Sequence, residues 1–204
     1  MAGKFIVFEG IDACGKGTQI KLFHNYLYDS SKFNHLVLTR EPYNSKEIRK
    51  LLAEDQSAYS NPEKCADLYI NDRAEHVVKI IEPNLKAGMI VLSDRYKYST
   101  LAYQQAQGLD LDHLIAKHKG MPVPDLVFLI DVPVEIAAER MANQKDGREA
   151  KFESDLDFQR KLRDNYLALK AKFIMEPYHI INGAQPVEKV HEEIKKIYHE
   201  AFPI

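Results

Sequence analysis

The sequence predicts an α/β fold in which a five-stranded parallel sheet is flanked by helices on both faces. Short apolar runs alternate along the chain with longer segments of helical period, which is the pattern of strands joined by helical crossovers. The runs 90–92 and 126–130 are continuously apolar, as in strands covered on both faces. A length of 204 residues suits one domain with a substantial core, so we expect a single domain over 1–204.

The elements follow from these patterns in chain order. The predicted strands are 4–9, 35–39, 89–93, 126–131 and 178–182. The predicted helices, many of which start near Asp, Asn, Ser or Pro as helices commonly do, are 16–30, 45–55, 63–87, 97–107, 110–119, 134–143, 154–175 and 186–202. Pro83 falls inside the third helix and cannot donate a helical hydrogen bond, so we expect a kink or break near Glu82. The polar, charge-rich stretch at about 143–153 predicts a short lid.

Composition excludes several classes of function. The chain has 28 Lys and Arg against 30 Asp and Glu, without the basic run that would bind a nucleic-acid polymer. No apolar run approaches the roughly 18 residues that span a bilayer, so no membrane partner is expected. The two cysteines, Cys14 and Cys65, lack metal-ligand spacing and fit a reduced, cytoplasmic compartment.

A phosphate-binding loop (P-loop) follows the first strand and precedes an amphipathic helix. The glycines allow backbone N–H groups to turn toward phosphate oxygens, the helix N-terminus favours the anion, and Lys16 can reach the β- and γ-phosphates. We therefore expect this segment to bind the phosphates of ATP. Its residues are Gly10, Ile11, Asp12, Ala13, Cys14, Gly15, Lys16, Gly17 and Thr18.

Asp94 stands at the C-terminal end of a buried strand, where the ligands of open α/β sheets lie. It can hold Mg²⁺ through water, and Arg95 can pair with a phosphate. Since Gly17 occupies the position after Lys16 that usually carries the metal-binding hydroxyl, that hydroxyl would come from Thr18. The alternative for Asp94 is a cap on the following helix.

A GTPase is disfavoured because the nearest match to the guanine-reading motif, 143–146, has the wrong residue order. Five stretches instead resemble thymidylate kinases over nearly the whole chain. They are 8–12, 39–42, 47–52, 68–73 and 93–104, the last containing Ser-Asp-Arg-Tyr and Ser-Thr-Leu-Ala-Tyr-Gln. The resemblance implies a P-loop kinase fold and a homodimer. It also implies Mg²⁺-dependent transfer of the γ-phosphoryl of ATP to dTMP, giving dTDP and ADP for dTTP biosynthesis.

The resemblance further implies a dTMP site. Arg49 and Arg95 would bind the 5′-phosphate, which suits two guanidinium groups. Asp12 would contact the sugar 3′-hydroxyl, and Tyr103 would crowd the 2′ position and favour deoxyribose. Arg49 could instead belong to a solvated helix face. The implied dTMP-binding residues are Asp12, Glu41, Pro42, Arg49, Tyr69, Arg73, Arg95, Thr100, Tyr103 and Gln104.

The base would be held by the remaining members of this set. By the same resemblance, Tyr69 would lie on the face of thymine and Arg73 would contact its O4, while Thr100 and Gln104 would bond its edge. The Glu41–Pro42 peptide would be cis, an isomer that proline makes accessible. Arg73 could alternatively form a surface ion pair, and Tyr69 could be plain core.

The chain departs from the family pattern where Tyr43 and Asn44 replace a Gly-Gly pair and Tyr69 replaces Phe. The P-loop also lacks the arginine that some thymidylate kinases carry there. The family's other arrangement, a lid arginine, matches Arg148, so Lys16, Asp94, Arg95 and Arg148 are the expected catalytic residues. Arg140 and Lys151 are the alternatives to Arg148, which could also be a solvated charge.

Two other functions remain open from the sequence. One is a P-loop kinase for a different nucleoside monophosphate or for a deoxynucleoside. The other is a nucleotide-dependent switch without turnover, against which Asp94 and a lid arginine argue.

Overall fold

The computed structural model describes residues 3–54, 61–143 and 155–203. The strands are Lys4–Glu9 (β1), Leu36–Arg40 (β2), Ile90–Asp94 (β3), Leu126–Asp131 (β4) and Tyr178–Asn182 (β5). The helices are Lys16–Ser30 (α1), Lys46–Glu54 (α2), Pro62–His76 (α3), Glu82–Lys86 (α4), Lys97–Ala106 (α5), Leu111–Lys117 (α6), Val134–Ala142 (α7), Leu156–Lys172 (α8) and Val187–Ala201 (α9).

The strands form one sheet in the order β2-β3-β1-β4-β5, and all neighbouring strands are parallel. The predicted five-stranded parallel sheet is therefore confirmed. Phe8 near the end of β1 is in register with Asp94 on one side and Phe128 on the other. The connection from β1 runs to β2 on one side of β1, and the connection from β3 crosses to β4 on the other side. The carboxyl ends of these strands are therefore a topological switch point, where ligands of such sheets bind.

Both faces of the central strand are buried, as its continuous apolar run predicts. Phe8 packs against Phe23 of α1, with ring centroids 5.9 Å apart. Phe5, three residues earlier and hence on the opposite face, packs edge-on against Tyr96 at 4.9 Å. Helices α1 and α9 contact each other, while α5 packs against α3 and α8. The helices thus cover the sheet and leave its carboxyl edge for the site.

The predicted helix 63–87 changes its hydrogen bonding near Pro83. A π-helical turn, Val77–Ile81, separates α3 from α4. Pro83 offers no N–H to the preceding turn, and the side-chain amide of Asn84 donates to the Ile80 carbonyl at 2.6 Å. The irregularity lies just before Glu82, where the α-helix resumes, and the helix does not terminate there.

Within the described ranges, no helix combines the length and the apolar composition needed to cross a membrane.

Candidate active site

The P-loop leaves β1 at Gly10 and enters α1 at Lys16. Gly10 has φ 143°, and a Cβ there would lie 2.6 Å from the Ile130 carbonyl oxygen and 2.8 Å from the Cys14 sulfur. Gly15 has φ 99° immediately before the helix. Only glycine enters these conformations without strain, and the first N–H groups of α1 have no carbonyl partner within the helix. The loop is therefore built to receive an anion.

A cavity of about 590 Å³ adjoins this loop. Arg140 spans its floor, since one guanidinium nitrogen donates to the Cys14 carbonyl at 3.1 Å and the other to the Gly183 carbonyl at 3.0 Å. Arg140, an alternative to Arg148 in the sequence, thus contacts the loop directly. The cavity is lined by Ala13, Cys14, Gly15, Lys16, Gly17, Thr18, Gln19, Ile130, Arg140, Asn143, Gly183, Gln185, Val187 and Val190.

Lys16 and Asp94 lie side by side at the ends of neighbouring elements. The Lys16 Nζ is 3.6 Å from Asp94 Oδ1, and that buried oxygen accepts no hydrogen bond from the described residues. Thr18 is exposed at the cavity. The described residues contain no cluster of three His, Cys, Asp or Glu side chains able to hold a metal. The Asp94 Oδ1, which accepts no hydrogen bond from the described residues, nevertheless fits Mg²⁺, which keeps several waters and takes few protein ligands.

A second cavity, of about 220 Å³, lies on the other side of the loop. Every residue predicted to bind dTMP lines this cavity except Arg49, which is exposed on α2. The sequence did not single out Cys65, Ser99 or Gln107. Helical spacing could have found the last two, because Ser99 and Gln107 continue the four-residue repeat of Arg95 and Tyr103. The lining residues are Asp12, Glu41, Pro42, Cys65, Tyr69, Arg73, Arg95, Ser99, Thr100, Tyr103, Gln104 and Gln107.

Arg73 lies at one end of this cavity and is almost completely buried. Its Nε donates to Glu41 Oε2 at 2.7 Å and its Nη2 donates to Thr100 Oγ at 2.9 Å. One Nη1 proton is directed to His118 Nε2 at 2.7 Å, and no acceptor among the described residues takes the second. The surface ion pair considered from the sequence is thereby excluded, since Arg73 and Glu41 form a buried pair.

His118 contacts Arg73 but does not itself line the cavity. Its Nδ1 lies 2.7 Å from the Leu114 carbonyl, so Nδ1 carries the proton and Nε2 accepts from Arg73. Burial, and then the Arg73 guanidinium, lower the pKa of His118 to about 3. The ring is therefore neutral at physiological pH, and Arg73 is held by neutral and anionic acceptors alone.

Arg95 and Asp12 form the opposite end of the cavity. The Arg95 guanidinium contacts the Asp12 carboxylate directly, and the Tyr103 hydroxyl donates to Asp12 Oδ2 at 3.1 Å. Burial works against the charged form of Asp12, but Arg95 and Lys16 outweigh it and hold the pKa of Asp12 below its ordinary value. These charged groups adjoin the P-loop, to which Asp12 and Lys16 belong.

The middle of the cavity is apolar with few polar atoms. Burial raises the pKa of Tyr69 to about 12, so its phenol is neutral. The Gln104 amide nitrogen donates to Gln107 Oε1 at 3.1 Å, while the buried Gln104 Oε1 has no donor among the described residues. That oxygen is an acceptor available to a ligand. A flat ring system with an N–H on its edge suits this region.

The loop that covers the cavity is held by α3. The Glu41–Pro42 peptide is cis, as the resemblance implies. Asp72 then accepts the backbone N–H groups of Tyr43, Asn44 and Ser45. Tyr43 stacks on His76 with centroids 4.9 Å apart and the rings 11° from parallel. The departure from Gly-Gly is thus accommodated by packing the Tyr43 ring outside the cavity lining.

Arg148 and Lys151 lie outside the described residues, as does most of the predicted lid. The assignment of a catalytic lid arginine consequently stays a prediction. Arg49 lies on α2, whose side chains are described as far as Leu51.

The parallel sheet, the P-loop and the two cavities that share it define a P-loop phosphotransferase. The family model described as thymidylate kinase matches residues 8–194. Over 199 residues the chain is 43% identical to the probable thymidylate kinase of Thermococcus kodakarensis, covering 93% of this chain and 94% of the relative. It is 36% identical over 195 residues to the thymidylate kinase of Desulfotalea psychrophila, covering 94% and 92% respectively. The chain belongs to the thymidylate kinase family, and its activity is that of an ATP-dependent phosphotransferase.

Proposed function

We propose that the larger cavity, lined by the P-loop residues from Ala13 to Thr18, binds ATP and that the smaller cavity binds dTMP. Phosphoryl transfer then occurs at the P-loop, between the two. The observation that carries this division is that consecutive residues line different cavities: Asp12 lines the smaller and Ala13 the larger. Two ligands bound on either side would meet with their phosphates at Lys16. The chain phosphorylates dTMP to dTDP, and this arrangement accounts for how the acceptor meets the donor.

The polarity of the smaller cavity supports a fixed orientation for dTMP. Its 5′-phosphate would lie at Arg95, where the positive charge adjoins the P-loop, and its sugar would lie near Asp12 and Tyr103. Thymine would then stack on Tyr69, with its edge toward Arg73 and Gln104. The hydroxyl of Tyr103 is already directed to Asp12, so a ribose 2′-hydroxyl would be both crowded and unpaired, which disfavours the ribonucleotide.

The base end suits thymine atom by atom. The second Nη1 proton of Arg73 is a donor for the O4 of thymine, and Gln104 Oε1 is an acceptor for its N3–H. Cytosine would present an amino group to Arg73 and an unprotonated N3 to Gln104, so donor would face donor and acceptor would face acceptor. A site that leaves buried polar groups unpaired rejects such an analogue strongly. Thr100, which accepts from Arg73, borders the same edge.

In the transfer, an oxygen of the dTMP phosphate attacks the γ-phosphorus of ATP and the bond between that phosphorus and the β–γ bridging oxygen breaks, releasing ADP. Lys16 would neutralise the β- and γ-phosphates, and Arg95 would hold the attacking phosphate in line. Mg²⁺ held at Asp94 and Thr18 would neutralise further charge on the donor. Arg49 and the lid residue Arg148 are proposed to add positive charge once both nucleotides are bound.

We further propose that the chain is one domain with a lid at about 143–153, and that it acts in the cytoplasm as a homodimer. Support for the compartment comes from the low cysteine content, since the chain has only two cysteines and Cys14 is a buried free thiol. Support for the dimer is the family likeness alone.

The test is an acceptor screen with ATP and Mg²⁺ in which ADP release is measured for dTMP, TMP, dUMP, dCMP, dGMP and thymidine. We expect dTMP to give the highest kcat/KM, with dCMP lower by at least about 10²-fold because of the unpaired groups. ADP release with thymidine but not dTMP would indicate a deoxynucleoside kinase. No ADP release with any acceptor would indicate a nucleotide-dependent switch without turnover.

A further inference from the structure

A buried carboxylate lies directly behind Arg95 and has no part in the roles assigned above. Glu9 is the last residue of β1 and is fully buried. Its Oε1 accepts the N–H of Tyr96 at 2.8 Å, and its Oε2 accepts the hydroxyl protons of Ser99 at 2.7 Å and Tyr166 at 3.2 Å. It does not line either cavity.

Arg95 contacts the same two hydroxyl groups from the cavity side. Its Nη1 donates to Ser99 Oγ at 3.0 Å, to Tyr166 Oη at 3.1 Å and to the Gly10 carbonyl at 3.2 Å. The two hydroxyls therefore stand between a group that only donates, the guanidinium, and a group that only accepts, the ionised carboxylate. Each hydroxyl can serve Arg95 as an acceptor only while its own proton is directed elsewhere.

The backbone of Arg95 needs the same support. Arg95 has φ 75°, a left-handed conformation that costs energy for a residue with a side chain. Its N–H donates to the Phe8 carbonyl at 2.9 Å, and the next N–H, that of Tyr96, donates to Glu9. Ser93 Oγ donates to the Arg95 carbonyl at 2.7 Å. The end of β1 thus holds both the backbone and the side chain of Arg95.

We propose that Glu9 is a positioning residue for acceptor binding: its carboxylate orients the hydroxyls of Ser99 and Tyr166 so that their lone pairs fix the Arg95 guanidinium against the dTMP phosphate. This inference rests on the proposed role of Arg95. When Glu9 is ionised, both hydroxyl protons point to it or along the contact between Ser99 and Tyr166, which are 2.8 Å apart. When Glu9 is neutral, its own proton must point to one of these oxygens, and that hydroxyl turns its proton toward Arg95.

The surroundings of Glu9 place this change within the working pH range. Burial raises the pKa of Glu9 to about 7, against the opposing influence of Arg95, the Ser99 hydrogen bond, the Tyr96 N–H and Lys16. Arg95 faces it from the turn after β3, Lys16 from the P-loop and Tyr166 from α8. Tyr98 of α5 and Tyr178 of β5 are also titratable groups near it. Burial is the main cause that raises the pKa of each phenol above its ordinary value, so both stay neutral.

Two quantities should then change in opposite directions with pH. As the pH falls through 7, Glu9 takes up a proton and the affinity for dTMP falls. Over the same range the folded state binds a proton that the unfolded chain, with an ordinary glutamate pKa near 4.5, does not bind. This group therefore adds to the free energy of unfolding as the pH falls from 7 toward 4.5. A purely structural carboxylate would change stability without changing acceptor affinity.

The experiment compares Glu9→Gln, Tyr166→Phe and Glu176→Gln with the wild type. Glu176 is the matched control, since its half-buried carboxylate is also bonded to the start of α5, through Lys97 and Tyr98, but it does not contact Arg95. We measure KM for dTMP, KM for ATP and kcat from pH 6 to 8.5, together with urea unfolding at pH 6 and 8. The ionisation of dTMP itself is common to all four proteins and cancels in their comparison.

We expect Glu9→Gln to raise the KM for dTMP about 3- to 10-fold at pH 8 with little change in the KM for ATP, and Tyr166→Phe to do so less. The ratio of wild-type to Glu9→Gln affinity should shrink as the pH falls to 6, because the amide resembles the protonated acid. Glu176→Gln should leave the KM for dTMP unchanged. The proposal is overturned if Glu9→Gln matches Glu176→Gln in the KM for dTMP at every pH.

An Arg95→Ala variant separates this proposal from the function it rests on. If Arg95→Ala raises the KM for dTMP but Glu9→Gln does not, Arg95 binds the acceptor without help from Glu9 and only the positioning role fails. If Arg95→Ala also has no effect, the assignment of Arg95 to the acceptor phosphate fails. If Glu9→Gln does not fold, Tyr166→Phe alone decides, since it retains the ring and removes one of the two oriented hydroxyls; an unchanged KM for dTMP would then reject the proposal.

Discussion

Replacing Arg73 by methionine should reveal two separate roles of this residue, one in folding and one in recognising the base. The Arg73 and Glu41 side chains are 1% and 4% exposed. Without the guanidinium, Glu41 keeps His76 Nδ1, at 3.1 Å, as its partner. Breaking a buried ion pair from one side costs about 3–5 kcal/mol. In a chain of this size each kcal/mol corresponds to roughly 2–4 °C in Tm, so we expect a fall of roughly 6–20 °C.

The double variant Arg73→Met/Glu41→Gln distinguishes the two roles. Removing both charges should restore most of the stability, because a buried pair contributes little net free energy compared with neutral groups of similar volume. It should not restore kcat/KM for dTMP, since the donor for the base is still missing.

The measurements are urea unfolding and kcat/KM for dTMP and dCMP. Arg160→Met is the control, because the Arg160 side chain is 51% exposed and pairs with Glu135 at 3.1 Å on the surface, an interaction worth about 0–1 kcal/mol. Wild-type stability in Arg73→Met would refute the buried-pair argument. Wild-type discrimination of dTMP from dCMP in the double variant would refute the role in base recognition.

Four further variants test the P-loop and the lid. Lys16→Ala should remove nearly all phosphoryl transfer while leaving the urea midpoint close to wild type; more than a tenth of the wild-type kcat would argue against the P-loop assignment. Gly10→Ala should lower the free energy of unfolding by about 1–3 kcal/mol, because its Cβ would lie 2.6 Å from the Ile130 carbonyl oxygen. At Gly17 a Cβ would meet nothing within 4 Å, so Gly17→Ala should leave the free energy of unfolding unchanged. If Gly10→Ala and Gly17→Ala lost equal free energy of unfolding, the contact with Ile130 could not be the cause. Arg148→Ala should lower kcat about 10²-fold or more and leave dTMP affinity nearly unchanged. If kcat fell less than about threefold, the catalytic arginine or lysine would instead be Arg140 or Lys151.

Local patterns accounted for the fold and for much of the site. The predicted strands lie within one residue of β1 to β5. The continuously apolar runs 90–92 and 126–130 belong to β3 and β4, which flank the central β1, because such runs suit strands covered on both faces. The residues that the resemblance assigns to dTMP line the smaller cavity, with the exception of Arg49. The P-loop residues from Ala13 to Thr18 line the larger cavity, and Asp94 lines neither. The predicted helix 63–87 differs most from the structure, because a π-helical turn divides it into α3 and α4. Pro83 indicated a disturbance, but whether the helix ends, bends or adopts a π turn depends on what packs around it.

Contacts between distant parts of the chain could not be inferred in this way. The sequence did not predict a role for His118, because its contact is with an arginine 45 residues away and no local motif marks such a contact. Arg140 was only an alternative to Arg148, yet it reaches the Cys14 carbonyl across 126 residues. Asp72 supports the loop after Pro42 through backbone N–H groups, which any residue type supplies and no motif records.

The amino-acid sequence by itself determined the phosphate loop, the parallel sheet and the family. These depend on backbone conformation and burial over a few consecutive residues, which the order of glycine, apolar and charged residues specifies directly. Only the tertiary structure decided what holds the two cavity arginines in place. Arg95 depends on Glu9 and on Tyr166, which are 157 residues apart in the chain, and Arg73 depends on Glu41 and His118. A buried guanidinium must satisfy its donors with whatever acceptors the packed fold brings within 3 Å or so, and those acceptors come together only when the helices close over the sheet.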